Sequence, residues 1–483
     1  MRLRRRDALK AFLALAWLVC LYRAITQSVV HDEALTYRFY IGAPVSRIFQ
    51  FFDANHHFLN TLLMKLSVSV FGVSAWSMRL PALAGAALYL AAVYRISREI
   101  ESNTASLLAV AMLTLNPFIL DFMVAARGYG MALGRWMWAL AILLAYVRQP
   151  HAGAAPELLQ AGIALSLSIM ANLVFVVPAA ALAAVAWATL QAASPPLAPA
   201  LEPQPVSKKR RKQKRKRPAL SEPERARQAF WRWFAIPALA GCVVFLLVSP
   251  LANAVKGDFY AGAKTLSESL RSLYGVSVAH GGPLRQAALA PVVRDAVAFG
   301  LAPSIFPLGL AAGVRRRNIM LILASGTAVA CGILLLLLHM AVDMLYPLDR
   351  TGIYFMPLAG LALAGLSAEI RGGALWKAAG VLAGATSIVL VVLFLLEFDT
   401  RKFAVWEYDA DTRTILAELS KVVPDKSRGS VRIANSWQLE PSLNFYALKD
   451  HLGWLQTITR APIGPGADYY ILIDAVALPI PSI

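Results

Sequence analysis

Two adjacent carboxylates, Asp32 and Glu33, follow directly on the first apolar stretch of the chain. A carboxylate held at that point could serve as general base towards an acceptor hydroxyl, provided that its pKa stays below the working pH. The plain alternative is that an acidic pair beyond a helix end is solvated punctuation. Position argues for chemistry: the pair is the first acidic feature after Asp7 and falls where a bilayer gives way to water. Asn55-His56-His57 comes next. Asn is a good helix N-cap, and a histidine at head-group level could bind a phosphate, a sugar hydroxyl or a divalent cation. The spacing carries no pattern specific for a metal.

Arg79, Arg127 with Tyr129, and Arg350 with Tyr354 each stand where the chain enters an apolar span. Any one of these arginines could simply snorkel to head groups. Three of them with two tyrosines also make a clamp for an anion such as phosphate, which Arg grips bidentately. His280 lies in a stretch that also holds Lys256, Lys264, Arg271 and Arg285. A lone loop histidine is usually inert, but a basic loop on the outer face favours an anionic ligand nearby.

The elements that must position these groups are membrane helices. Of 483 residues, 58% are hydrophobic and 16% charged, against roughly 25% charged in an average globular chain. Apolar runs recur along nearly the whole length, each of a size to cross a hydrocarbon core of about 30 Å. The class is an all-α polytopic membrane protein. The net charge of +19 comes largely from Arg2–Arg6 and from the run Lys208–Arg217, which read as topology signals, so no nucleic-acid partner is expected. Cys20, Cys242 and Cys331 fall within expected spans and read as packing residues.

Expected spans lie near 9–25, 76–96, 104–122, 128–147, 157–171, 173–191, 231–250, 294–314, 318–340, 351–370 and 375–396, about eleven in all. The first follows a basic leader, but Tyr22-Arg23-Ala24-Ile25 is a poor cleavage site, so a retained helix is read in preference to a signal peptide. Residues 34–50 are too polar to span and predict two interfacial helices, the second opened by Pro44. Residues 57–72 are short and carry Lys65, which predicts a re-entrant or surface helix. With the amino terminus cytoplasmic, Arg95 and Arg98, Arg148, the Lys208 run, Arg315–Arg317, and Arg371 with Lys377 all fall on the inner side.

Residues 1–397 thus form the transmembrane domain. Within it, residues 192–230 read as a disordered basic cytoplasmic loop and 251–293 as an exoplasmic loop. Residues 398–483 read as a small exoplasmic α/β domain, with helices at 412–422 and 441–448 and strands at 431–434 and 469–473.

The motifs resemble a family. The Asp-Glu pair, then Asn-His-x-x-Leu-x-x-Leu-Leu at Asn55–Leu63, Phe71-Gly72, and Arg79-Leu80-Pro81-Ala82 are similar to those of GT-C glycosyltransferases of the protein O-mannosyltransferase and lipid A aminoarabinose transferase type. Ala126-Arg127-Gly128-Tyr129 and the Arg, Tyr and Pro of Arg350–Pro357 extend the likeness. The sequence departs from it at His57, where many relatives have Pro, and in the Lys208 run, which has no counterpart.

What the resemblance implies is transfer of a sugar, with inversion, from a polyprenyl-phosphate donor to an acceptor on the outer face of a bacterial inner membrane. Asp32 would be the base and Glu33 its companion. Arg79, Arg127, Tyr129, Arg350 and Tyr354 are the candidates for donor phosphate. His56, His57 and His280 would give polar or metal contacts in the cavity, a divalent ion being the one cofactor left open. The acceptor could be a lipid, a protein or a glycan. The rival readings are a transporter or flippase of lipid-linked saccharide, which would need midspan ionisable groups and repeated halves, and a glycan ligase or polymerase.

Overall fold

A computed structural model describes residues 2–151, 153–192, 221–259, 261–278, 280, 290–369, 373–423 and 427–473. The expected disorder of the basic run 208–217, Arg285 in the outer loop and Arg371 lie outside the described residues.

Among these residues eight helices are long and apolar enough to cross a membrane, from Arg6–Thr26 to Ala374–Leu396. The count reaches nine if the pair Asn103–Leu115 and Pro117–Val124, bent by 51°, is taken as one span. Its bend has a local cause. The Asn116 side chain accepts from the Ile119 N–H at 3.0 Å and so starts a new helix, and Pro117 has no N–H with which to continue the old one. The chain is a multi-pass membrane protein. The expected eleven spans are reached only by counting Ala155–Ala171 and Phe355–Ser367, of 17 and 13 residues, against about 20 for a full crossing. The first stops where Asn172 caps a tight turn at Leu173–Phe175. The second loses its expected first turn to Asp349–Gly352.

The interfacial elements follow the sequence pattern. His31–Thr36 runs on through a wider turn at Tyr37–Ile41, and Ser46–Gln50 begins after Pro44. Phe58–Phe71, of 14 residues, is too short to cross. Its Lys65 ammonium donates to the carbonyls of Ile41 and Ala43 at 2.6 and 2.5 Å, which ties this helix to the interfacial strip. Ala374–Leu396 leaves Leu375, Leu382, Ile388 and Leu395 exposed, as a face towards lipid should.

Ala75–Glu99 and Gly128–Arg148 pack backbone against backbone. A Cβ on Gly134 would lie 2.1 Å from the Gly85 carbonyl oxygen, and one on Gly85 would lie 2.5 Å from the Met131 Cα. This crossing brings Arg79 and Arg127 to one end of the bundle. At the other end Arg148 bonds to the Glu99 carbonyl at 2.7 Å, and Arg316 pairs with Glu369 at 3.0 Å.

Beyond the last span, Thr412–Val422 and Glu440–Lys449 are helices, and the strands Ile433–Asn435 (β1) and Tyr469–Ile471 (β2) pair in parallel, Ile433 opposite Tyr469. Leu416, Ile433, Leu443, Tyr446, Trp454 and Ile458 fill the space between them. Trp437 is 54% exposed and stays outside this core. The segment is sewn to the amino-terminal part of the chain: Gln27 donates to the Thr400 carbonyl, Ser28 to the Ala410 carbonyl, and the Val29 N–H to the Tyr446 hydroxyl.

Gly134→Ala is expected to force the central helices apart and to cost at least about 2 kcal/mol, the scale of overpacking a closed contact. Thermal unfolding in detergent checks it; an unchanged midpoint would mean that the crossing tolerates a side chain.

Candidate active site

Glu33 and Arg79 are both fully buried, and they face each other. Arg79 Nε and Nη2 donate to the two carboxylate oxygens at 2.9 and 2.7 Å. The remaining donors of Arg79 go to the carbonyls of Ala24, Gln27 and Ser28. Glu33 also accepts from the Val30 N–H at 3.1 Å and the Ala126 N–H at 2.6 Å. Every strong donor and acceptor of the pair is used inside the protein. In this structure Arg79 and Glu33, expected on a phosphate and beside a base, spend their donors and acceptors on each other and on the backbone.

Asp32, the neighbour of Glu33, is placed differently. Its Oδ2 lies 3.3 Å from Arg350 Nη2 and 3.6 Å from Arg127 Nη2 and has no hydrogen-bond partner among the described residues, while the Trp406 side chain adds to the lowering of its pKa. Burial penalises its charge, but Arg127, Arg350 and His31 together outweigh burial and hold the carboxyl below its ordinary value. The sign of the linkage follows. The stabilisation is present above the ordinary carboxylate range and is lost as pH falls through the depressed folded value.

Arg127 donates to Asn55 Oδ1 at 2.8 Å. Its Nε and Nη1 are buried with no hydrogen-bond partner among the described residues. Arg350 is 28% exposed, hydrogen-bonds to Tyr129, and lies over the Trp406 ring at 5.8 Å. His57 packs edge-on to Tyr129, with centroids 5.3 Å apart, and His56 stacks on Tyr40 at 4.3 Å. Burial pushes the His56 imidazole down to about 4. His57 is likewise held well below its ordinary value, by burial first and then by Arg127 and Arg350. Both rings are neutral near pH 7. A Cβ on Gly128 would meet the Ala171 carbonyl oxygen at 1.9 Å and the His57 Cβ at 2.8 Å. Only glycine lets Arg127, Tyr129 and His57 come together.

Asp32, Arg127, Tyr129, Arg350, His56 and His57 thus share one end of the bundle. Tyr354 does not join them: it is buried against Phe175 and Phe355. His280 belongs to a separate cluster. Its Nε2 lies 3.0 Å from Asp121 Oδ2, while Arg23 donates to Asp121 Oδ1 at 2.5 Å. Asn55 is not the cap of Phe58–Phe71, whose N-cap is His57, because its oxygen is spent on Arg127. Trp406 is the contributor that sequence reasoning missed, and Asn55, read there as a cap, instead holds Arg127. The run Trp406-Glu407-Tyr408-Asp409 was the available signal. No group of three or more His, Cys, Asp or Glu side chains that could hold a metal meets among the described residues.

Residues 55–197 match the family model described as dolichyl-phosphate-mannose-protein mannosyltransferase. Among solved structures the chain is similar to ArnT from Cupriavidus metallidurans bound to undecaprenyl phosphate. That match has 13% identity and a TM-score of 0.50, over 91% of this chain and 84% of that one. The apo state of ArnT matches over the same shares with 12% identity and a TM-score of 0.51. The archaeal oligosaccharyltransferase AglB from Archaeoglobus fulgidus, in complex with an inhibitory peptide and a dolichol-phosphate, gives 15% identity and a TM-score of 0.41 over 94% of this chain and 64% of that one. No curated protein matches. The fold is that of the GT-C membrane glycosyltransferases.

Arg79→Met leaves Glu33 buried and unpaired, so a loss of about 3–5 kcal/mol is expected. Chemical denaturation of the purified protein in detergent measures it, and a loss under about 1 kcal/mol would remove the pair from its structural role.

Proposed function

We propose that this chain is a membrane glycosyltransferase that moves a sugar from a polyprenyl-phosphate donor to an acceptor hydroxyl. One observation carries the reading: a buried, ionised carboxylate, Asp32, shares two guanidinium groups, one of which keeps unpaired donors beside it. A base and an anion site side by side are what such a transfer needs.

An apolar cavity of about 870 Å³ supports the donor assignment. Leu273, Phe306, Ile333, Met356 and Val389 line it, and Tyr346 and Pro347 bring its wall to within a few residues of Arg350. A polyprenyl tail in that cavity would set its phosphate on Arg350 and on the Nε and Nη1 of Arg127, within the reach of Tyr129. ArnT, whose fold this chain shares, was solved bound to undecaprenyl phosphate.

The reaction then runs in one displacement. Asp32 takes the proton of the acceptor hydroxyl as its oxygen attacks the anomeric carbon. The bond from that carbon to the phosphate oxygen breaks on the opposite face. Arg127 and Arg350 receive the charge that develops on the leaving phosphate, which needs no protonation. A carboxylate pinned by two cations is a weak base. A donor phosphate arriving on the same cations draws them off Asp32 and raises it towards the ordinary carboxylate value of about 4. The base is therefore strengthened when the donor is in place. His56 and His57, both neutral, offer hydrogen bonds to sugar hydroxyls, and no step is assigned to a metal.

On this reading Arg79 serves the site by fixing Glu33 and with it the place of Asp32. Residues 1–397 carry the membrane part, and 398–483 form the small exoplasmic α/β domain. The site end of the bundle faces the outer side of a bacterial inner membrane, with the amino terminus cytoplasmic. The contacts of Arg148 and Arg316 at the opposite end accord with the positive-inside pattern.

Transfer of radiolabelled sugar from a panel of polyprenyl-phosphate donors into a membrane extract tests the reading. Asp32→Asn should lower the rate by a factor of about 100 or more, the scale of general-base catalysis, at unchanged folding. Arg350→Gln should raise the donor KM by about tenfold, the cost of losing one charge-assisted contact. Equal transfer by wild type and Asp32→Asn would take Asp32 out of the mechanism. Donor binding with no transfer by the wild type would favour transport.

A further inference from the structure

Asp409 is a carboxylate with no access to solvent that the transfer chemistry does not use. It sits in the segment after the last span, far along the chain from the acidic pair. Its Oδ2 accepts the backbone N–H of His31 at 2.6 Å, at the start of the helix His31–Thr36 that carries Asp32. Its Oδ1 accepts from the Ser442 hydroxyl at 2.5 Å and from the Thr412 hydroxyl at 3.4 Å. One carboxyl thus joins three elements: the Asp32 helix and the starts of Thr412–Val422 and Glu440–Lys449. Beside it the His31 ring meets the Gln438 carbonyl at 2.5 Å.

We propose that Asp409 is a positioning residue: through the His31 amide it sets the height and angle of the helix that presents Asp32 to the acceptor. The inference rests on the assignment of Asp32 as base. It makes the segment after residue 397 a working part of the site, although the matching family model ends at 197. The mechanical argument is short. His31 is one residue from Asp32, so a displacement of the first helical turn is carried almost undiminished to the carboxylate, and the two cations facing that carboxylate come from other elements. A misplacement of about 1 Å between base and acceptor can cost on the order of 100-fold.

The environment of Asp409 adds a pH dependence. Beside it lie His31 and Glu33 from the Asp32 helix and Tyr408 from its own segment; Tyr408 in turn faces Asp32 and Arg350, and Tyr446 faces Glu33, Arg79 and, from Thr412–Val422, Arg413. Burial pushes the Asp409 carboxyl up to about 7, with Glu33 adding to the rise, against the lowering effect of its hydrogen bonds to Ser442, His31 and Thr412. A carboxyl raised in the docked state favours docking while protonated and weakens it as pH rises through that value. The clamp is firmest below the ordinary carboxylate value, weakens as pH rises from there, and has lost this contribution above about 7. Asp32, held low by its two arginines, titrates well below this window, so the two groups leave separate marks on a pH profile.

The experiment uses the full-length protein in detergent, with Asp409→Ala and Asp409→Asn. Three quantities are read: kcat and donor KM between pH 5.5 and 8.5, binding of undecaprenyl phosphate, and amide hydrogen exchange of residues 28–36 at one fixed pH. Asp409→Ala should lower kcat at least about tenfold with less than a twofold change in donor KM, and should speed exchange at 28–36. Asp409→Asn, a neutral group of the same shape, should rescue kcat and remove a decline that the wild type shows as pH rises through about 7. Unchanged kcat and exchange in Asp409→Ala would overturn the proposal, as would a wild-type alkaline decline that persists in Asp409→Asn. If Asp409→Ala no longer binds undecaprenyl phosphate, Ser442→Ala, which removes one support of the same carboxyl, replaces it with the same criteria. Wild-type protein that transfers from no donor defeats the transferase reading alone, and the exchange of 28–36 still decides the clamp.

Discussion

The pairing of Glu33 with Arg79 is the contact from which the rest of the site takes its place. Two unit charges out of water cost several kcal/mol each, and such a pair persists only where its remaining lone pairs and protons are also satisfied. Here they are. Arg79 spends its donors on Glu33 and on three carbonyls at the end of the first span, and Glu33 takes two backbone amides besides. The amides are those of Val30 and Ala126. Because Glu33 is next to Asp32 and Ala126 is next to Arg127, the closed pair fixes the open one at an offset of a single residue on each side.

The two pairs are electrostatic opposites. In the first every group is satisfied, and nothing is left for a ligand. In the second, Asp32 has two cations at ion-pair distance, and Arg127 keeps buried donors without partners among the described residues. Buried donors without partners destabilise a fold and usually mark a site rather than a scaffold. The closed pair, the Gly85–Gly134 crossing and the missing side chain at Gly128 hold the under-satisfied groups in a geometry that they would not choose alone.

The site draws on parts of the chain that are distant in sequence. Residues 31–33, 55–57, 127–129, 350 and 406 contribute side chains, and only the middle of that set falls within the segment 55–197 that matches a family model. In the segment after the last span Trp406 lies beside Asp32 and Asp409 accepts the His31 amide. A two-stranded sheet and two short helices would be a slight structure in isolation. Their bonds to Gln27, Ser28, Val29 and His31 make them part of the larger body.

Much of this was legible in the residues. Hydropathy alone set the polytopic class, and run lengths separated crossing helices from Phe58–Phe71, because a bilayer imposes one length on every element that spans it. In the last segment the helices and strands fell within two residues of their expected positions, since turn residues and apolar periodicity are local signals. The ends of Ala155–Ala171 and Phe355–Ser367 were less visible: a capping Asn and a tight turn shorten helices whose composition would allow them to continue.

Roles were another matter. The spacing could gather Asp32, Glu33, Arg79, Arg127 and Arg350 at one membrane face, but it could not sort them. Neighbouring residues on a helix point about 100° apart, and a local pattern holds no information on what waits in each direction. Glu33 met a guanidinium with carbonyls on its other side, and Asp32 met two guanidiniums. Sequence by itself determined that this protein lives in a membrane and carries acids and arginines beside its apolar runs. Which acid closes on Arg79 and the backbone and which stands between Arg127 and Arg350 was decided by tertiary structure alone, because the charges that distinguish them come from elements dozens to hundreds of residues away.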